Sequence, residues 1–338
     1  MAIQILTGSD ELLNFYRTKF YFSYSGLNKL LFSPRMFYSH YILNQREDSK
    51  DAHLIAGSVL HCLLFEPETF DEKFVVSPGK LPSDNNKKII DAVFKLQEIN
   101  GTNLELKDYS VEILSFLIQA NLHQSLKTDA QRVDKIVTPE HVAYFEFLKN
   151  STGKSVLDQD TLNNCKDSIA VLEANENVRA LLQLDRDVND TSIETYNELP
   201  ISADVKSLPF GFKGILDNVV MDHNTKTLFI NDLKTTGKNI ESFPESVQYY
   251  KYWMQGVIYK KLAFHKFIKS LADSQDWKIV ITFIVIDKYN QVYPFQVSEE
   301  SLAIWEKDFN NIIDVAKYHY ENKDFTLPYE LALGNVKL

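Results

Sequence analysis

The chain changes texture once, at about Asp190, and that change limits the folds open to it. Upstream, from about Asn85 to Leu184, apolar residues recur at helical spacing in segments such as KKIIDAVFKLQEI and YSVEILSFLIQANLHQSL, separated by polar or Gly/Pro breaks. Downstream, SIETYNEL, FKGILDNVVMD and TLFINDLKTT are rich in β-branched and aromatic residues, and Asp222-His223-Asn224 supplies a turn between the last two. Three strands of a meander are expected there. A long helix from about Glu245 to Leu271 follows, then the strand WKIVITFIVID, a turn at Lys288 to Asn290, the strand QVYPFQV and a final helix from about Ser298 to Glu321. The downstream half is expected as an α/β or α+β core in the order β-β-β-α-β-β-α.

Ahead of the helical stretch, Tyr21 to Gln45 spaces Leu27, Leu30 and Leu31 as two short amphipathic helices, with Ser23 or Ser25 as a cap and Ser33-Pro34 as a restart. Ala52 to Phe65 is apolar around much of its circumference and stops before Glu66-Pro67, so it reads as a buried helix, with His61 inside it. Cys62 and Cys165 form no CxxC pair, which removes disulfide frameworks and cysteine metal clusters and fits a reducing, cytoplasmic setting. The opening residues carry no basic segment leading into an apolar run, and the longest apolar string is strand-sized, so neither a leader nor a membrane span is expected.

The stretch from Gly211 to Thr236 carries the chemistry. Asp217 falls mid-strand, Asp232 near the end of the next strand, and Lys234 two residues on, hence on the same face as Asp232. Two converging carboxylates suit a hard divalent cation, and a neighbouring lysine can orient the attacking water. On spacing alone, the alternative is a set of solvated strand residues joined by an ion pair. Thr152-Gly153-Lys154-Ser155 resembles the end of a phosphate-binding loop, but position 148 is Leu rather than Gly and lies in a helical stretch, so a turn is expected. Asp185, Asp187 and Asn189 start like a calcium loop that lacks its later glycine and glutamate.

Asp217…Asp232-Leu233-Lys234-Thr235-Thr236 resembles the PD-(D/E)XK nuclease signature, and Gln255 and Tyr259 in YWMQGVIY resemble that superfamily's QxxxY motif. FSYSGLNKLLFSPRMFY is similar to the opening helices of RecE and RecB type nucleases, and AGSVLHCLLFEPETFDEKFVV to a segment of the exonuclease VIII (RecE) C-terminal nuclease domain family. Leu216 replaces the family's proline, and Asp232 replaces its commoner glutamate. The resemblance implies a restriction-endonuclease-like fold: a central mixed β-sheet flanked by helices, with a helical insertion. The chain is expected as a single nuclease domain over 1–338, made of an N-terminal helical part (21–78), the insertion (79–189) and a catalytic α/β core (190–325).

It further implies a metal-dependent DNA exonuclease, acting 5′→3′ on linear double-stranded DNA in recombination or repair. Asp217, Asp232, His61 and the Leu233 carbonyl would hold one or two Mg²⁺ or Mn²⁺ ions. Lys234 and Gln255 would act with them. Glu194 and Tyr259 are secondary candidates. A single-strand or structure-selective nuclease, and a non-catalytic DNA-binding or assembly subunit on the same scaffold, are the alternatives, and RNA stays open as substrate. A homo-oligomer, a single-strand annealing partner, a phage or prophage source and the bacterial or infected-host cytoplasm belong to the same resemblance.

Charge is the one objection, since 46 acidic residues outnumber 36 basic ones and give a net charge of −10. Locally the balance reverses: seven lysines against three acids lie between Asp232 and Lys269, interleaved with tyrosines. Lys238, Lys251 and Tyr252 are the expected DNA contacts.

Overall fold

The computed structural model describes residues 10–45, 52–187 and 189–336. The first nine residues lie outside this range. No described helix is long and apolar enough to cross a membrane. The chain forms two compact units, one from residues 50–167 and the other from residues 1–49 and 168–338.

In the unit of residues 50–167, helices Asp84–Asn100, Ser110–Gln119 and Pro139–Ser151 close on a core that includes Ile90, Val93, Ile113, Leu117 and Phe145. The Thr138 hydroxyl accepts from the His141 amide and Pro139 occupies the first turn, so the third of these helices starts where its sequence says it should. Phe74–Val76 and Ser155–Leu157 pair as short parallel strands, the second of them in a stretch the sequence suggested was helical and turn. This strand follows Gly153-Lys154 instead of leading into it, the reverse of a phosphate-binding loop. His61 sits half-buried on helix Ala52–Phe65 with its ring edge-on to Phe65 at 5.9 Å. Cys62 and Cys165 are buried and unbridged, and burial pushes the Cys165 thiol up to about 11.

The other unit is built on a six-stranded mixed sheet. Its elements are β1 (Tyr21–Phe22), α1 (Tyr24–Phe32), α2 (Glu176–Leu182), β2 (Ile193–Asp204), β3 (Gly211–Asp222), β4 (Thr227–Thr236), α3 (Phe243–Tyr249), α4 (Tyr252–Ala263), β5 (Lys278–Asp287), β6 (Val292–Gln296) and α5 (Glu299–Asn322). From β2 onward the order follows the expected β-β-β-α-β-β-α, with two helices, α3 and α4, in place of the first one. The helix layer packs Met254, Val257, Ile258 and Leu262 of α4 and Phe309 and Ala316 of α5 on Val219, Met221, Ile230 and Ile281. These residues are nearly all inaccessible, and all but Ala316 are each worth about 1.5–3 kcal/mol of transfer free energy.

Strand β3 organises the sheet. Strand β2 runs antiparallel along its whole length on one edge. The other edge is divided: β1 takes Gly211 and Phe212 in parallel, β4 takes Asn218 to Asp222 antiparallel, and among the described residues no strand is in register on that side with 213–217 between them. A gap therefore opens in the sheet, and Asp217 stands at one end of it.

The long helix expected over 245–271 is broken. Lys251 adopts a left-handed φ of +58°, ending α3 and restarting the chain as α4. The Tyr250 carbonyl accepts from the Tyr24 hydroxyl of α1 and from Asn28 Nδ2, so a tertiary contact replaces the helical one. No glycine or proline marks this break in the sequence.

Candidate active site

Asp217, Asp232 and Lys234 converge at the gap. Asp217 is 7% exposed and Asp232 1%. The Leu233 amide, beyond the end of the β3–β4 ladder, donates to Asp217 Oδ2 at 2.8 Å, so a side-chain carboxylate does there what a strand carbonyl does elsewhere. Lys234 Nζ forms an ion pair with Asp232 Oδ2, and Gln255 Nε2 of α4 donates to Asp232 Oδ1 at 2.9 Å. The turn at Lys251 sets this up: it starts α4 so that Tyr252 lies 5.1 Å from Lys234 Nζ and Gln255 meets Asp232 one turn later.

Burial alone would drive the Lys234 ammonium pKa down, but the charges of Asp232 and Asp217 outweigh it and hold the pKa above the ordinary lysine value. Tyr259 is pushed well above the usual phenol range, first by burial and then by the same two carboxylates. Its ring fits because position 214 is glycine: a Cβ there would come within 2.7 Å of the ring. A cavity of about 550 Å³ lies beside Tyr24 and Tyr259, lined by Pro200, Ile201 and Ser202 of β2 and by Lys213, Gly214 and Ile215 of β3.

One acidic residue of this region escaped the sequence reading. Asn197 pairs with Asn218 and Leu199 with Leu216, so Glu198 lies directly opposite Asp217 where the ladder skips a rung. Their carboxylate oxygens come within 4.8 Å of each other. Glu198 holds a φ of +43°, a conformation that costs a side-chain-bearing residue free energy. The inward–outward alternation slips here on both strands. Phe212 and Leu216, then Val219 and Met221, face the same helix layer, as do Ile201 and Leu199, then Tyr196. A period-two reading of β2 assigns Glu198 the wrong face for this reason.

Glu194, the acidic residue singled out on β2, lies opposite Met221, where it accepts from the Tyr196 hydroxyl and meets His223 Nε2 at 2.7 Å. These partners hold its carboxyl below the usual glutamate range. Lys238 is exposed beside Tyr249, its Nζ 5.9 Å from the ring centroid, while Tyr252 packs against Phe243 and Tyr250. His61 belongs to the other unit, on the helix described above.

A family model described as the PD-(D/E)XK nuclease superfamily matches residues 21–326. The chain belongs to this superfamily. Its mixed sheet with helices on the faces is consistent with the restriction-endonuclease-like fold. No curated protein matches the sequence. Among solved structures it is similar to a candidate exonuclease from Eubacterium rectale, with 12% identity, a TM-score of 0.44, and coverage of 100% of this chain and 95% of that one. A likeness this distant assigns no reaction.

PD-(D/E)XK nucleases typically use divalent metals, and the donor set here suits one. If ionised, Glu198, Asp217 and Asp232 set three negative charges against the single ammonium of Lys234, and two of the three carboxylates are buried. Hard oxygen donors with excess negative charge are what Mg²⁺ or Mn²⁺ requires, and a thiolate-preferring ion finds no ligand among these residues.

Proposed function

We propose that this protein is a metal-dependent exodeoxyribonuclease acting 5′→3′ on linear double-stranded DNA in recombination or repair. The observation that supports this best is the joining of Asp217, Asp232, Lys234 and Gln255 at an open strand edge. Direction, duplex preference and biological setting rest on the sequence resemblance to the RecE type.

Asp217, Asp232 and Glu198 would hold Mg²⁺ or Mn²⁺, with His61 added by the resemblance. In an extended strand a residue's N–H and C=O point to the same side, which turns the Leu233 carbonyl toward Asp217 as a further ligand. The bound ion supplies Lewis acidity and lowers the pKa of water. The protein's own groups do the rest. Gln255 keeps Asp232 from rotating away, and Lys234 orients the attacking water and offsets charge developing on the phosphate. The cavity beside Tyr24 and Tyr259 would seat the nucleotide next to the scissile bond. Lys238 and Lys251 would contact the DNA backbone, with Tyr252 bordering the site.

Linear duplexes labelled at the 5′ or the 3′ end, incubated with Mg²⁺ or with chelator, test the reading. Metal-dependent release of mononucleotides from the 5′ end is expected, together with loss of activity in Asp217→Asn. Release from the 3′ end, nicking of closed circles or preference for single strands would replace it with another nuclease specificity. Absence of both cleavage and metal binding would leave a scaffold. Solution mass tests the homo-oligomer that the resemblance implies.

A further inference from the structure

We propose that a row of side-chain amides behind the carboxylates sets the spacing of the catalytic strands, making Asn197, Asn218 and Asn231 positioning residues for the metal site. The proposal rests on the nuclease reading above and concerns residues that reading does not use.

The register defines the row. Asn197 on β2 lies opposite Asn218 on β3, Asn218 opposite Asn231 on β4, Asn231 beside Thr282 on β5, and Thr282 opposite Gln296 on β6. Neighbours in register share a face of the sheet, so one polar side chain from each of five consecutive strands stands in line. The amides are bonded in one direction: Asn231 Nδ2 donates to Asn218 Oδ1 at 2.8 Å, and Asn218 Nδ2 donates to Asn197 Oδ1 at 2.9 Å. Asn231 Nδ2 also reaches the Leu181 carbonyl at 2.9 Å, tying the row to α2.

Each asparagine is the chain neighbour of a site carboxylate. Asn197 precedes Glu198, Asn218 follows Asp217, and Asn231 precedes Asp232. On β4, where the alternation is regular, Asn231 and Asp232 point to opposite faces. Asn218 and Asn197 share the face of Asn231 by register, so the row backs the acids from the other side of the sheet.

Between β2, β3 and β4 the backbone ladders thin at this row, while β4 stays paired with β5. The β3–β4 ladder ends at Asn218 and Asn231, and the β2–β3 ladder skips the Glu198–Asp217 rung immediately beside Asn197 and Asn218. Where backbone hydrogen bonds stop fixing the three strands, side-chain bonds continue. A one-residue slip of β4 would send Asp232 to the opposite face and bring Asn231 into its place. It would also break the two bonds that Asn231 makes, to Asn218 Oδ1 and to the Leu181 carbonyl, so the row opposes the slip that would dismantle the site.

Packing alone does not call for asparagine here. Asn218 and Asn231 are each 1% exposed, and among the described residues neither Asn231 Oδ1 nor Thr282 Oγ1 has a hydrogen-bond partner. Leucine would fill similar space without burying amides, and a polar row kept at such a cost points to geometry rather than stability.

The test is the double substitution Asn218→Leu/Asn231→Leu in the full chain, read by thermal unfolding, by Mn²⁺ calorimetry, and by kcat and KM on linear duplex. A folded variant is expected whose Mn²⁺ affinity and kcat each fall about tenfold or more, with KM for DNA nearly unchanged. A folded variant with wild-type metal affinity and kcat overturns the proposal. If the double variant does not fold, Asn197→Leu decides. Asn197 is exposed and its loss removes only the last bond of the row, so a smaller fall in the same direction supports the proposal and wild-type values overturn it. Wild-type protein lacking any Mn²⁺ site that Asp217→Asn removes overturns the nuclease reading and this proposal together. Wild-type binding that the asparagine variants leave intact overturns this proposal alone.

Discussion

In the proposed site the Lys234 ammonium and a divalent cation would compete for one carboxylate. Lys234 pairs with Asp232, whose side chain is 1% exposed, and its own side chain is 15% exposed. Removing one partner of a buried pair costs about 3–5 kcal/mol, because the other charge stays desolvated. Lys234→Met should therefore lower the melting temperature in chelator and abolish cleavage. It should also bind Mn²⁺ more tightly than wild type, so that adding Mn²⁺ raises its melting temperature by more than it raises that of wild type. An equal or smaller shift would mean that Lys234 does not contend with the ion. Gly214 is the second residue-level lever. Gly214→Ala places a Cβ within 2.7 Å of the Tyr259 ring, an overpacking worth about 1–3 kcal/mol. Tyr259→Leu removes that ring, and the two changes together should cost less than their sum in thermal or denaturant unfolding.

Among the elements, α5 carries a pH dependence that can be read from one histidine. His319 is 1% exposed, and its Nδ1 donates to the Asp324 carbonyl at 2.5 Å, which fixes the neutral tautomer. Burial holds its pKa below the usual value, and the carbonyl bond and the charge of Asp324 only partly oppose this. The unfolded chain therefore binds a proton before the folded one does. The stability due to this group is complete above about pH 6.5 and declines as pH falls through the interval below it. His319→Phe should flatten the melting temperature between pH 7 and 5 relative to wild type, and an unchanged slope would assign the dependence to other groups.

The elements also explain which parts of the site could be read in advance. Strand periods bring Asp217, Asp232 and Lys234 together on one β-meander, the family resemblance singles them out, and Gln255, on the helix after it, comes from that resemblance alone. Glu198 does not follow from strand periods, because the pleat slips on β2 and β3 and no proline or glycine marks the slip at Glu198. The end of α3 at Lys251 is equally silent, since what stops the helix is a tyrosine and an asparagine more than two hundred residues upstream in sequence. The parallel pair Phe74–Val76 and Ser155–Leu157 is too short for any periodicity to register.

Over the whole molecule, the charge of −10 sets how DNA can be held. A surface that repels phosphate overall binds only where basic side chains are left uncommitted, and salt should expose which ones those are. Lys238 is exposed and Lys251 half-exposed, both near the site, whereas Lys226 is engaged by Asp273 and Asp276 at 2.8 and 2.9 Å. Each lysine that neutralises a duplex phosphate contributes about −0.9 to the slope of log affinity against log salt. Lys238→Ala/Lys251→Ala should make that slope shallower by nearly two such increments, measured with Ca²⁺ in place of Mg²⁺ to limit cleavage, while Lys226→Ala leaves it unchanged. If both variants keep the wild-type slope, the DNA path does not pass the turn between α3 and α4, and the tyrosines there serve packing alone.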